Sequence, residues 1–555
     1  MTEQPPTSPG PAAPPPSDPS PAEDPKGRSG KRLVIAGIIA VAVLALGGAA
    51  FAVFQKLDGG GAQPHDVLPE SVVAYARVDL DPSASQKIAL LKLIRKFPEA
   101  ADDIGIKSAD QDVRELLVKE ALKAGSCDLT YDEDVEPWLG SRVGVALDKK
   151  QTPLVAIQVT DEDKAAKGIE AIFTCSGEKA AVAFLDGYAV VAEDQKGADA
   201  AVKAATTSSL GDNADFAKDT ESLGEQGVAS AWVDTDALID EFPEMKDLAG
   251  SSPDQLKQLE QVGSGAMALR ADGSTLELAG ISGLTDALDE LPAAPLTKLP
   301  SDTVAALSVG GLGEQISAQY DTFLEQLTGA FGGPSVARVQ AAEPSVAEGI
   351  TPGKEDEVDP YAESDPAAAP TPDDFVAELE RETGLKLPDD LETLFGDGLT
   401  IAIGSENLQT LPTMEGPADI TSLDAALQMT TDPAKALDLA KRLAALAAQA
   451  GITLSTAQTD DGAVLATNPE AAGALDGSGR LGDDETFSSV MPYGDDTTYG
   501  LFVDVGTILD QISKADPPED ISKDIEEAKA LKAVGVSAGK KGDHSVFSIR
   551  IALKK

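Results

Sequence analysis

The sequence predicts an α+β protein: a tandem duplication of a largely antiparallel sheet-plus-helices domain, preceded by one transmembrane helix. Three observations predict it. Short alternating strands follow one another through tight turns, an uncharged apolar run stands near the N-terminus, and several segments recur in the same order further along the chain.

Residues 1–32 carry ten prolines and almost no apolar side chains. Such a segment buries too little surface to offset chain entropy, so a disordered, partly polyproline II cytoplasmic tail is expected, either a spacer or a dock for a proline-reading partner. Residues 33–54, "LVIAGIIAVAVLALGGAAFAVF", then run for 22 positions without a charge. At about 1.5 Å per residue they span a hydrocarbon layer of about 30 Å. Lys26, Arg28, Lys31 and Arg32 precede the run and only Lys56 follows closely, which places the N-terminus in the cytoplasm and the rest outside, at the cell envelope. A cleaved signal peptide, with "AFA" at Ala50–Ala52 as its site, is the competing reading. The run exceeds the usual h-region of about 7 to 15 residues and follows a long leader, which favours an uncleaved single-pass anchor. Residues 55–66 read as a stalk.

The duplication comprises copy 1 at 67–290, a linker at 291–298 and copy 2 at 299–555. "LPESVVAYARV" from Leu68 matches "LPSDTVAALSV" from Leu299, "DVEPWLGSRVGVAL" from Asp134 matches "DLETLFGDGLTIAI" from Asp390, "AIQVTDEDKA" from Ala156 matches "ALQMTTDPAKA" from Ala426, and "WVDTDALID" from Trp232 matches "FVDVGTILD" from Phe502. Copy 2 is enlarged by 332–374, a stretch rich in Pro, Ala, Gly and acid without periodicity, expected to be a disordered acidic insertion. In the second pair, Asp134 or Asp390 caps a short helical turn, Gly140 or Gly396 ends it, and a strand follows with alternate residues on one face. Trp138 reads as core filling, since copy 2 has Leu394 there. Each copy is expected to run strand, two helices, two strands, helix, two strands, further helices, strand, helix and a final hairpin. So many strands in succession favour a largely antiparallel sheet over a doubly wound parallel one.

The chain has a formal net charge of -50, and after Lys56 it holds 39 basic and 90 acidic residues. That surface repels phosphate backbones, so no nucleic-acid partner is expected; the charge serves solubility or attracts cations and basic partners. No catalytic residue, cofactor or metal is predicted. The two histidines, His65 in the stalk and His544 in the last hairpin, read as solvated bystanders. There is no G-x-S-x-G, H-E-x-x-H or G-x-x-x-x-G-K-[ST]; "SGEK" from Ser176 lacks a later K-T-G, and "DEDVE" from Asp132 has Pro137 where a calcium loop needs Gly.

Cys127 and Cys175 are the only cysteines. Outside the cytoplasm a disulfide between them is the natural reading, and two buried thiols the other. "QKIALLKLIRKF", Gln86–Phe97, has an apolar stripe of Leu90, Leu93, Ile94 and Phe97 beside Lys87, Lys92, Arg95 and Lys96, whereas copy 2 has "EQISAQYDTFLEQL" without a basic residue. Those four cations are the candidate contact for anionic lipid or an acidic partner, against a core helix with a solvated basic face.

"DVLPESVVAYARVDLDPSASQKI" after a basic-flanked anchor, followed by "YDEDVEPWLGSRVGVAL", resembles a family of actinobacterial single-pass membrane proteins catalogued as a domain of unknown function. The resemblance implies a cell-envelope location and carries no activity or site residues. Copy 2 departs from it at Leu394 and Phe395. The expected function is a membrane-anchored, non-catalytic envelope protein whose acidic ectodomain binds an unidentified protein or envelope component. The alternative is an extracytoplasmic enzyme that uses Asp and Ser side chains without a recognisable motif.

Overall fold

The alternation in "VVAYARVD" puts Tyr75 and Arg77 on one side of a strand and Ala74, Ala76 and Val78 on the other, as a half-buried strand requires. The same logic holds along the chain. The computed structural model describes residues 62–81, 128–241, 261–283, 291–313, 372–414 and 417–554 with interruptions at 151, 176, 476–478, 516 and 518, and single positions between 114 and 122 and at 316 and 320. The expected tail, the span at 33–54, most of the stalk, Lys87, Lys92, Arg95, Lys96, Cys127 and nearly all of 332–374 lie outside the described residues. Among the described residues no helix is long and apolar enough to cross a membrane.

Sixteen strands form one sheet in which every described pairing is antiparallel. The first eight are β1 (Val72–Asp79), β2 (Leu139–Asp148), β3 (Pro153–Val159), β4 (Ala181–Leu185), β5 (Tyr188–Ala192), β6 (Ala229–Asp234), β7 (Ser264–Asp272) and β8 (Thr275–Gly283). The others are β9 (Thr303–Gly310), β10 (Gly398–Gly404), β11 (Ala425–Thr430), β12 (Ser455–Gln458), β13 (Gly462–Ala466), β14 (Thr497–Val503), β15 (Leu531–Lys541) and β16 (His544–Leu553). Read inward from one edge the order is β4, β5, β3, β2, β1, β6, β7, β8; from the other it is β12, β13, β11, β10, β9, β14, β15, β16. The two series meet where β8 pairs with β16. At the β4–β5 hairpin Asp186 and Gly187 both take positive φ, 47° and 79°, as a two-residue turn matched to strand twist demands.

Helices α1 (Glu162–Cys175), α2 (Gln195–Thr207), α3 (Ala214–Leu223) and α4 (Thr235–Glu241) belong to the first half. The second half carries α5 (Pro372–Thr383), α6 (Asp389–Phe395), α7 (Pro433–Gln449), α8 (Pro469–Ala474), α9 (Glu485–Val490), α10 (Val505–Ile512) and α11 (Glu519–Ala528). Helix α5 takes in the last three residues of the expected insertion. Carboxylate or amide oxygens satisfy the first free N–H groups in the same order in both halves: Asp161, Asp194, Asn213 and Asp234 at α1 to α4, then Asp432, Asn468, Asp484 and Asp504 at α7 to α10. On one face of the sheet α2 and α3 cover Tyr188, Val190, Trp232 and Ala268, and α8 and α9 cover Ala426, Val464, Phe502 and Ala533. On the other face α1 covers Ala189 and Val191, and α7 covers Met429 and Ala463.

The echoed segment corrects one expectation. Asp134 and Asp390 do not stand at the head of their turns. Each lies inside and reaches back four residues, accepting the Thr130 N–H at 2.7 Å and the Lys386 N–H at 2.5 Å. Gly396 ends its turn at φ 33°, whereas Gly140 is already part of β2. Trp138 fills the core as expected, at 3 % exposure, with its Nε1 donating to Asp134 O. Gly168 of α1 lies under its ring, and a Cβ there would run into Trp138 Nε1. In the second half Leu394 packs with Leu439, which occupies the helix position equivalent to Gly168. A large-over-small pair in one half thus answers a medium-over-medium pair in the other. Asp390 also takes both ends of the Arg442 guanidinium at 2.5 Å. Burial favours its neutral form, but the Arg442 hydrogen bonds and the Lys386 N–H outweigh burial and hold the carboxyl below its usual range.

Both histidines depart from the solvated reading. His65 sits in a 3₁₀ turn (Pro64–Val67) whose Val67 is fully buried, and His544 is 8 % exposed. Apolar neighbours in the sequence, Pro64 and Val67 for His65 and Val546 for His544, draw them against the sheet. The residues read as a linker are packed too, with Leu296 fully buried among the second half's apolar side chains.

Candidate functional site

Two features of the surface offer chemistry. The first is a cleft of about 220 Å³ in the second half, where Asp302 and Thr303 enter β9, Glu406 follows β10, Asp424 precedes β11 and Glu470 opens α8. Four carboxylates thus face one space, and Asp424 accepts an Asn468 Nδ2–H at 2.6 Å. Among the described residues no group of three or more His, Cys, Asp or Glu is arranged to hold a metal ion. The first half is built differently at this place. At the position of Asp424 it carries Leu154, 2 % exposed in the apolar core, and the Pro64–Val67 turn packs over the neighbouring strands. These carboxylates were not legible in the sequence, because they come from four separated segments and no local spacing marks them.

The second feature lies on the opposite face, over the middle of the sheet. Leu307 pairs with Leu501, Leu501 with Val536, Val536 with Ile549 and Ile549 with Leu278. All five side chains therefore share one face along a row that crosses β9, β14, β15, β16 and β8, roughly 19 Å long at about 4.8 Å per strand. Leu307, Leu501 and Ile549 are 40 %, 37 % and 38 % exposed, and Met267 on β7 beside them is 38 % exposed. α1 and α7 cover the outer strands on this face and leave the centre open. Strand alternation in the sequence marks each of these residues as facing a core; only the sheet order shows that, among the described residues, no helix covers the central ones.

The residues singled out by sequence distribute as follows. Cys175 ends α1, while Cys127 lies outside the described residues, as do Lys87, Lys92, Arg95 and Lys96. Asp132 and Glu133 are exposed in the turn Tyr131–Val135, and Asp134 is engaged with Thr130, so the alternating carboxylates there do not converge. Asp79 is the carboxyl raised by burial in the interior, in spite of Arg77 and Arg142 nearby, and it lies against Arg142 at 3.8 Å rather than in the cleft.

No curated protein matches the chain. Among solved structures, crystal forms I and III of TP0453 are similar, each with a TM-score of 0.21, at 10 % and 11 % identity, over 41 % and 40 % of this chain and 81 % of that one. A match over residues 158–498 shows that the chain belongs to the family described as "Protein of unknown function (DUF3352)".

Proposed function

We propose that the protein is a non-catalytic binding module of the cell envelope, whose open central sheet face receives an apolar segment of a partner protein. The observation that carries this reading is the row of Leu307, Leu501 and Ile549, each more than a third exposed on one face. Together with Met267 the exposed area is on the order of 300 Å², well below the roughly 800 Å² per partner that a stable dimer buries. It suits one amphipathic helix or extended segment rather than a second copy of the chain. With a photo-crosslinking residue at Leu501 or Ile549 in intact cells, one heterologous adduct is expected. The same residue at Ile420, apolar and 45 % exposed but away from the row, is expected to give none. Equal labelling at both places, or adducts only between copies of the chain, would sink the proposal. The alternative enzyme reading rests on the acidic cleft.

The envelope location rests on the sequence of 1–56 and on the resemblance to actinobacterial single-pass proteins. External protease on intact cells is expected to remove the region after the span and spare a tag at Met1; a protected C-terminal region reverses the orientation. The tandem duplication is supported by the identical strand order of the two halves and by the matched helix caps. The Cys127–Cys175 pairing rests on the sequence, with Cys175 at the end of α1. Peptide mapping without reduction is expected to recover the two as one linked species, and alkylation of both under native conditions is the contrary result.

A further inference from the structure

Residues 62–68 cross the helix-covered face of the first half as a strap. Tyr188 Oη donates to Ala62 O at 2.8 Å, Arg77 Nη1 to Gln63 Oε1 at 3.2 Å, and Leu210 N to Leu68 O at 2.8 Å. At the centre of the strap the His65 ring leans on Phe216 of α3 at 5.1 Å and meets Tyr75 edge-on at 6.2 Å. Its Nδ1 is buried without a hydrogen-bond partner. We propose that the strap is released from the sheet by acid, with His65 as the group that takes up the proton.

The surroundings of His65 set the direction. From its own turn comes Asp66, with Oδ1 3.5 Å from Nε2, but that carboxylate is 43 % exposed and already accepts the Gln63 N–H. From β1 come Tyr75 and the guanidinium of Arg77, which is 9 % exposed and bonded only to Gln63, Gln226 and Gly227 O. From β5 comes Tyr188, engaged with Ala62. α3 presents Phe216, and the turn Leu210–Asp212 presents Gly211 while its Asp212 carboxylate is turned back onto Ser209. A proton on His65 thus places a second cation beside a buried arginine, with one solvent-screened carboxylate in return. Burial lowers its affinity for the proton, Asp66 raises it, Arg77 lowers it, and the balance lies below the ordinary value of 6.5. A detached His65 binds the proton more readily than a docked one, so the docked strap is fully favoured above about pH 6.5 and loses up to tenfold in population per pH unit below it, until the docked form itself titrates.

The other histidine supplies the control. His544 Nε2 stands 3.8 Å from Asp219 Oδ1 on the same helix α3, and Asp219 Oδ2 accepts the Trp232 Nε1–H at 2.9 Å. That ring therefore faces a buried carboxylate rather than a buried arginine. Hydrogen exchange on the full chain, corrected for the intrinsic pH dependence, reads the strap through the amides of Asp66 and Leu210. Their exchange is expected to accelerate by up to about fivefold from pH 6.5 to 5.5, while the β4–β5 hairpin stays protected. The acceleration should vanish in His65→Phe and persist in His544→Asn. Protection that does not change with pH, or acid loosening that survives in His65→Phe, overturns the proposal. Should that variant not fold, proton NMR of the natural chain decides, since it has two histidines; a His65 signal that titrates at or above about 6.5 overturns it.

Discussion

Glu277→Ala is expected to lower stability by about 3 kcal/mol, measured as a shift of the urea midpoint at pH 7. Glu277 sits on β8 at the seam between the halves, 9 % exposed. Its Oε1 accepts Arg550 Nε at 2.9 Å and Ser548 Oγ at 2.8 Å from β16, and Oε2 lies 3.5 Å from Arg270 Nη1 on β7. The arginines are anchored in turn: Arg270 donates to Leu223 O and Glu225 O, and Arg550 reaches Ser489 O at 3.5 Å. Removing the carboxylate leaves two cations facing each other across β8, next to the strand pair at which the halves join, which is why the cost exceeds that of a surface pair. Burial favours the neutral acid, but Arg550, Ser548 and Arg270 outweigh it and hold Glu277 below its ordinary 4.5. Its contribution is therefore present above about pH 4.5 and is lost as the pH falls through the lower folded value. Glu277→Gln, which keeps the shape without the charge, should lose less, and its deficit against the natural chain should shrink in that acid range. A deficit that is constant with pH would show that the carboxylate's charge does not join the seam.

The second large effect is a compensation. Trp138→Leu alone is expected to cost about 2 kcal/mol through the cavity it opens under a 3 % exposed ring. Gly168→Leu alone is expected to cost about 3 kcal/mol, because its side chain enters the space held by Trp138 and the Asp134 carbonyl. Together they recreate the Leu394/Leu439 pair of the second half, and the double variant should return to within about 1 kcal/mol of the natural chain. Additive losses would mean that the two halves do not share this packing site, and would weaken the duplication itself.

Much of the fold was legible residue by residue. Alternation in "VVAYARV", "TPLVAIQV" and "GYAVVA" marks β1, β3 and β5, and Asp or Asn ahead of apolar spacing marks the starts of α2, α3 and α7, because strand period and helix capping are local properties of a few consecutive residues. The recurring segments lie on strands that hold corresponding places in the two series of the sheet. The candidate site was not legible. Asp302, Glu406, Asp424 and Glu470 converge from four segments, and His65 and His544 approach one helix from opposite ends of the chain; no local pattern encodes either meeting.

What the sequence determined by itself, then, is many of the elements, their antiparallel character and the acidity of the chain, since all of these follow from neighbours along the backbone. The tertiary structure alone decided that β8 pairs with β16 so that two series of eight strands become one sheet, that Leu307, Leu501 and Ile549 stay more than a third exposed, and that His65, within its strap, lies beside Arg77. Each of those is a choice among partners distant in the chain, made by the burial and charge balance of surfaces that exist only once the strands have assembled.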